Sequence, residues 1–143
     1  LKFWDSSALV PLFVPEPESK SIMEILKADQ VIMAWALTPV EILSALSRKF
    51  REGAIDRKTL SLAKSRLNGF ERAWMEVKQL DLVRDRAERL LAVHLLRAGD
   101  SLQLAAALVG FSEQTEGVCF VTLDRNLAGA AEKEGFAVEG ILL

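Results

Sequence analysis

The sequence predicts an α/β fold of three layers, α/β/α, built on a mostly parallel central sheet of about four or five strands. Short apolar runs alternate along the chain with longer segments of helical periodicity, the order that produces parallel strands joined by helical crossovers. Several of those runs lead into an acidic residue that opens a helix. Length and composition agree: 143 residues with 50% hydrophobic content suffice for one domain with a substantial core and are short for two. Residues 1–143 therefore read as a single domain, with no internal repeat, low-complexity tract or linker.

Residues 1–4 form a first buried strand, and Ser6 and Ser7 supply capping hydroxyls for a helix over 8–13 that Pro11 keeps short or irregular. After the turn Val14-Pro15-Glu16-Pro17, Ser19 caps a helix whose inner face carries Ile22, Ile25 and Leu26. Residues 31–36 are a second buried strand. Thr38-Pro39-Val40-Glu41 has a capping threonine, proline in the first turn and glutamate three residues on, with Leu43, Leu46 and Phe50 following and Gly53 closing the helix. Asp56 opens a long helical pattern through Leu60, Ala63, Leu67, Phe70 and Trp74, with a kink or break expected at Asn68-Gly69. Residues 77–83 alternate as a third strand, 85–96 are helical, Gly99 ends that helix, and Asp100-Ser101 begins the next, which runs through Val109. Residues 118–123 are the clearest strand, followed by a helix over 125–134, a stop at Gly135 and a short last strand near 136–138.

The formal charge of −2 excludes a surface coated in positive potential, yet the distribution is uneven. Between Arg48 and Arg72, eight basic residues face three acidic ones, a local +5 that leaves −7 for the remainder. A basic middle beside an acidic site suits a polyanion held by its backbone, and a solvated helical face accounts for the same residues. Cys119, the only cysteine, excludes an internal disulfide and a cysteine-rich zinc site, and reads as a buried inert thiol. No apolar run approaches membrane-spanning length and no signal-like segment opens the chain, so a soluble cytoplasmic protein is expected. Leu1 stands where an initiator methionine would be expected.

Four acidic motifs carry the chemistry: Phe3-Trp4-Asp5-Ser6-Ser7, Thr38-Pro39-Val40-Glu41, Ala98-Gly99-Asp100-Ser101 and Thr122-Leu123-Asp124-Arg125. In open parallel sheets ligands bind beyond the carboxyl ends of the strands, where Asp5 and Asp124 fall directly and Glu41 and Asp100 can join them. Gathered carboxylates repel one another unless protons or hard divalent cations offset the charge. Each acid also has a structural account: Asp5, Asp100 and Asp124 as helix caps and Glu41 in a capping box, worth about 1 kcal/mol apiece. Ser6, Ser7 and Ser101 offer capping hydroxyls of their own, which leaves the neighbouring aspartates open to other work.

These motifs, with Val14-Pro15-Glu16-Pro17, Leu96-Arg97-Ala98-Gly99-Asp100-Ser101-Leu102-Gln103-Leu104-Ala105 and Phe120-Val121-Thr122-Leu123-Asp124-Arg125-Asn126-Leu127, resemble the PIN-domain ribonucleases, especially VapC-type toxins. The resemblance spans nearly the whole chain in the expected order. It implies a PIN-like fold, an acidic quartet of Asp5, Glu41, Asp100 and Asp124 that holds Mg2+ or Mn2+, and nearby hydroxyls at Ser6 and Thr122. It further implies an RNA substrate, a homodimer, and an antitoxin that blocks the site. Pro11 stands where many relatives carry a basic or polar residue and Gln103 where many carry histidine; neither position is an expected ligand.

The expected chemistry is phosphodiester hydrolysis in which the cation acidifies the attacking water and stabilises phosphoryl charge. His94 is the sole histidine, which excludes a paired-histidine mechanism within one chain, and it reads as a partly exposed helical residue. Arg48, two turns after Glu41 on one helical face, points towards a phosphate near the site; Arg97 and Arg125 adjoin the third and fourth motifs, where surface ion pairs compete with that role. Trp4, Trp35 and Trp74 suit core packing better than base stacking. Two alternatives stand beside the nuclease: a catalytically inactive PIN-like module that binds RNA or protein, and an aspartyl-phosphate phosphatase, against which Ser7 occupies the place of a second aspartate.

Overall fold

The computed structural model describes residues 1–141. Five parallel strands form one sheet: β1 Lys2–Trp4, β2 Ile32–Trp35, β3 Met75–Val77, β4 Cys119–Thr122 and β5 Ala137–Gly140, in the order β3-β2-β1-β4-β5. Successive strand residues face opposite layers of core, as the pleat requires. Phe3, Met33, Trp35 and Phe120 pack into one cluster, while Trp4, Ala34 and Val121 pack into the other. Both faces being covered, the inner strands carry consecutive apolar side chains rather than alternate ones, as in Phe3-Trp4, Ile32 to Trp35 and Phe120-Val121.

Helices α1 Ser6–Leu9, α2 Ser19–Ala28, α3 Thr38–Arg51 and α4 Arg57–Ala73 supply the second cluster through Ala8, Leu9, Ile22, Ile42, Leu46, Ala63 and Leu67. Helices α5 Leu80–Val93, α6 Ala98–Gly110 and α7 Arg125–Lys133 supply the first through Val83, Ala87, Leu90, Leu104 to Leu108, Leu127, Ala130 and Ala131. The result is the expected α/β/α sandwich. Trp4 and Trp35 are fully enclosed, with no hydrogen-bond partner at either indole nitrogen, and Trp74 is buried as well.

The chain winds outward from β1 through β2 to β3, then returns to β4 on the other side of β1 and continues to β5. Connections therefore leave β1 and β4 towards opposite faces, which makes the carboxyl ends of these two neighbours the switch point at which open parallel sheets bind ligands. Asp5 follows β1, and Thr122 and Asp124 end and follow β4. Gly140 marks how closely β5 approaches: its φ is +103°, and a β-carbon there would sit 2.5 Å from the Thr122 carbonyl oxygen.

Several local expectations change. Pro11 does keep the first helix short and irregular, a single α turn followed by a 3-10 turn at Val10–Leu12, although the helix starts earlier, at Ser6. The third strand lies earlier than predicted: β3 is Met75–Val77, and the segment after it coils because Val83, Ala87 and Leu90 bury one stripe at helical spacing, overriding the apparent alternation. Gly99 does not stop a helix but lies in the first turn of α6. Helix α4 runs unbroken through Asn68-Gly69, where Gly69 faces open space. Gly53 does close α3, in the left-handed conformation at φ +77°. His94 is not helical: it caps the carboxyl end of α5, with its Nε2 bonded to Glu134 and only 6% of its side chain exposed. Cys119 is partly rather than fully buried; that burial first, and then its hydrogen bond to Glu139, pushes the thiol pKa up.

Candidate active site at the carboxyl edge of the sheet

Asp5 is the innermost acid. It caps α1 by accepting from the Ala8 N–H, and the same Oδ1 accepts from the Ser7 hydroxyl at 2.8 Å. Only 3% of the residue is exposed. Burial pushes its carboxyl up to about 7, against the lowering influence of hydrogen bonds from Ser7, Ala8 and Thr122; the charge of Asp124 adds a smaller upward push. Ser7 is the hub of this corner. Its Oγ also accepts from the Leu123 N–H at 2.9 Å and lies 3.3 Å from the Thr122 hydroxyl, tying the end of β1 to the end of β4.

Thr122 is fully buried and its Oγ1 accepts from the Asp124 N–H at 3.0 Å. That turn aims Asp124 into the first turn of α7, where its Oδ1 accepts from the Leu127 N–H at 2.9 Å. Asp5 and Asp124 therefore are caps, as the structural account of each acid has it, and at Asp5 the adjacent serines do not take over that work. The serine side chains are drawn off by the carboxylates, Ser7 to Asp5 and Ser6 to Glu41 at 3.3 Å, while Ser101 bonds back to the Ala98 carbonyl.

Glu41 and Asp100 are not caps. The backbone of α3 begins at Leu37 with no side-chain cap, and no capping box forms because Glu41 turns inward. Its Oε1 accepts from Gln103 Nε2 at 2.7 Å and its Oε2 from Ser6. Asp100 lies in the first turn of α6, where the partial positive charge of the helix end favours an anion. Desolvation first, then a neighbouring carboxylate, raises the pKa of both: Asp100 acts on Glu41, and Asp124 acts on Asp100. Like-charge repulsion thus links Glu41 with Asp100, Asp100 with Asp124, and Asp124 with Asp5. Among the described residues, no group of three or more histidine, cysteine, aspartate or glutamate side chains is disposed to hold a metal ion.

The basic candidates divide. Arg48 is exposed and shares with Glu41 a cavity of about 490 Å³ lined also by Ser6, Ser7, Val10, Val40, Ser44 and Ala45. Arg97 is 87% exposed and stands 3.7 Å from Asp100 and 4.0 Å from Asp124, where it offsets part of their charge. Arg125 is exposed at the first position of α7. Gln103 and Ser7 are the partners that sequence reasoning undervalued. The signal for Gln103 is its place three residues after Asp100, on the same helical face.

The PIN domain family matches residues 2–133 of the chain. This protein belongs to the PIN domain family. Solved structures agree on the fold. The chain resembles one in the toxin-antitoxin complex from Klebsiella pneumoniae, with TM-score 0.63 and 16% identity over 90% of this chain and 92% of that one. It resembles FitAcB from Neisseria gonorrhoeae, with TM-score 0.66 and 15% identity over 96% of each. It also resembles PAE2754 from Pyrobaculum aerophilum, with TM-score 0.60 and 23% identity over 96% of this chain and 83% of that one. A search of curated proteins finds no match. Among the described residues of this PIN domain, no helix is long and apolar enough to cross a membrane.

Proposed function

We propose that this PIN domain is a Mg2+- or Mn2+-dependent endoribonuclease, cytoplasmic, and the toxin of a toxin–antitoxin pair. The observation that carries the reading is Asp5: a carboxyl group sealed at the switch point between β1 and β4, pushed up to about 7, with Asp124 beside it. Capping accounts for Asp5 and Asp124 but not for Glu41 and Asp100, and the mutual repulsion of the acids costs stability, so a bound positive partner is the simplest reason to keep all four together.

The donor set fits such a partner. All candidate ligands, Asp5, Glu41, Asp100 and Asp124, are hard oxygen donors, and Mg2+ typically takes only one or two carboxylates and fills its remaining positions with water and substrate oxygen. When bound, the cation supplies neutralising charge at the phosphoryl group and acidifies water. The chain's own residues do the rest. Ser7 and Ala8 fix the Asp5 carboxylate, Gln103 and Ser6 fix that of Glu41, and the Leu127 N–H fixes Asp124. Arg48, beyond Glu41 in the same cavity, receives the phosphate backbone, as do Arg97 and Arg125 at the other side. In the hydrolysis, the hydroxyl of water joins phosphorus, one P–O bond breaks, and the proton ends on the departing ribose oxygen. No protein nucleophile is needed.

The antitoxin reading is supported by the toxin-antitoxin complex among the structural relatives. A homodimer is supported by apolar side chains left exposed on α5 and just beyond it: Leu91, Val93 at 73% and Leu95 at 92%. Sedimentation at micromolar concentration should give a dimer that Leu95→Asp dissociates; a monomeric native chain removes that part of the reading.

The deciding test is cleavage of single-stranded RNA by purified protein, freed of contaminating nuclease, with Mg2+, with Mn2+ and with chelator. Metal-dependent cleavage that Asp100→Asn abolishes supports the enzyme. RNA binding with neither metal uptake nor cleavage favours the second reading, a non-cleaving PIN module, which the lack of any three-acid group disposed for a metal among the described residues also favours.

A further inference from the structure

We propose that Gln103 is a positioning residue that clamps Glu41 in the site without spending its charge, an inference that rests on the nuclease reading above. Helix α6 presents Asp100 and Gln103 one turn apart on the same face. The two act on Glu41 in opposite senses. Asp100 repels its carboxylate, while the Gln103 amide donates to Oε1 at 2.7 Å, the short end of the range for an N–H···O bond and the length expected of a charge-assisted one.

Gln103 is itself 1% exposed, in a helix whose following residues Leu104 to Leu108 are all apolar and buried. A buried amide costs free energy unless its groups are paired, so an aliphatic residue would be expected here if filling space were the only task. Its pairing is specific. The second hydrogen of Nε2 points to the hydroxyl of Thr38, 3.1 Å away and also fully buried. Turning the amide over would set its oxygen against the Glu41 oxygen, so the carboxylate fixes which way it faces, while the Thr38 hydroxyl, able to donate or accept, gives the amide its second partner. Thr38 and Glu41 lie one turn apart on α3, so the three side chains bind α3 to α6 across the carboxyl edge of the sheet.

A neutral donor matters here. Lysine or arginine at position 103 would hold Glu41 more strongly but cancel the negative charge a cation needs. An amide holds the carboxylate against Asp100 and leaves its full charge in place. Ser6 steadies Oε2 from the opposite side, at the longer distance of 3.3 Å. Without Gln103, Glu41 has the freedom and the electrostatic incentive to swing away from Asp100.

The test compares Gln103→Leu and Thr38→Val with the full native chain by calorimetric Mn2+ titration, thermal melting and crystallography. Loss of a residue that orients a ligand typically weakens metal binding about 10- to 100-fold. That range is expected for Gln103→Leu, with a smaller loss for Thr38→Val, which leaves the amide bonded to Glu41 but without its second partner, and with Glu41 displaced in the Q103L crystal structure. Unchanged Mn2+ affinity with only a lowered melting temperature makes Gln103 a packing residue and overturns the proposal. So does a Glu41 carboxylate that stays in place in Q103L, a readout that needs no metal. If Q103L does not fold, unchanged Mn2+ affinity in Thr38→Val is decisive against the clamp. A native chain that takes up no Mn2+ at all would instead strike at the nuclease reading, and Glu41 in the Q103L structure would still decide the clamp.

Discussion

Replacing Asp5 by asparagine should make the metal-free protein more stable at alkaline pH, although it removes a residue proposed to be essential. The side chain has two jobs that asparagine can keep: Oδ1 caps α1 through the Ala8 N–H and accepts from Ser7, and asparagine ranks with aspartate as a cap. What asparagine removes is a buried charge. A carboxyl whose pKa is raised on folding from 3.8 to about 7 binds its proton more tightly in the native state than in the unfolded chain. The stability this confers is fully present below the unfolded pKa of 3.8 and is lost as pH rises through about 7. The difference corresponds to at most about 4 kcal/mol, or roughly 10 °C in melting temperature for a chain of this size. Melting curves of native protein and Asp5→Asn, in chelator from about pH 4 to about pH 8.5, read it directly. The curves should run together in acid and separate towards alkali with the variant the more stable. Glu41 and Asp100, also raised, titrate in both proteins and cancel in the difference. Melting temperatures that differ by a constant amount across that range would show that Asp5 is ionised throughout, and the argument from its burial would fail.

Asp124 separates capping from chemistry in another way. Serine can cap α7 where alanine cannot, so Asp124→Ala should cost about 1 kcal/mol in a urea titration and Asp124→Ser much less. Both should lose RNA cleavage; cleavage retained by the serine variant would remove Asp124 from the catalytic set. Gly69 lies inside α4 facing open space, so Gly69→Ala should stabilise the fold by up to about 1 kcal/mol without altering cleavage. A lowered urea midpoint would contradict an unbroken helix there.

The sheet was readable from sequence because strands buried on both faces advertise themselves as apolar runs, as in Phe120-Val121 and Ile32 to Trp35. Edge strand β3 was misplaced for the converse reason: with Met75 exposed and only Val77 fully enclosed, three residues carry too little pattern to outweigh the alternation that follows them. Gly99 misled because glycine ends helices more often than it begins them, and here the first turn of α6 passes within 3.7 Å, measured from its missing β-carbon, of the Glu41 carboxylate. The positions of the acids followed from their place after strands or at helix starts. Their partners did not. Whether a serine caps its own helix or serves a neighbouring aspartate depends on the separation of β1 from β4, which only the assembled sheet sets.

The enclosed tryptophans give this protein an optical gauge of its own. The chain contains three tryptophans and no tyrosine, so its near-ultraviolet emission comes from indole alone. Trp4 is one peptide bond from Asp5 and shut away from solvent with its nitrogen unpaired, so a change of charge at Asp5 occurs beside a fluorophore that water does not quench. Titration of Asp5 and unfolding should each change the colour and intensity of that light, with no label attached.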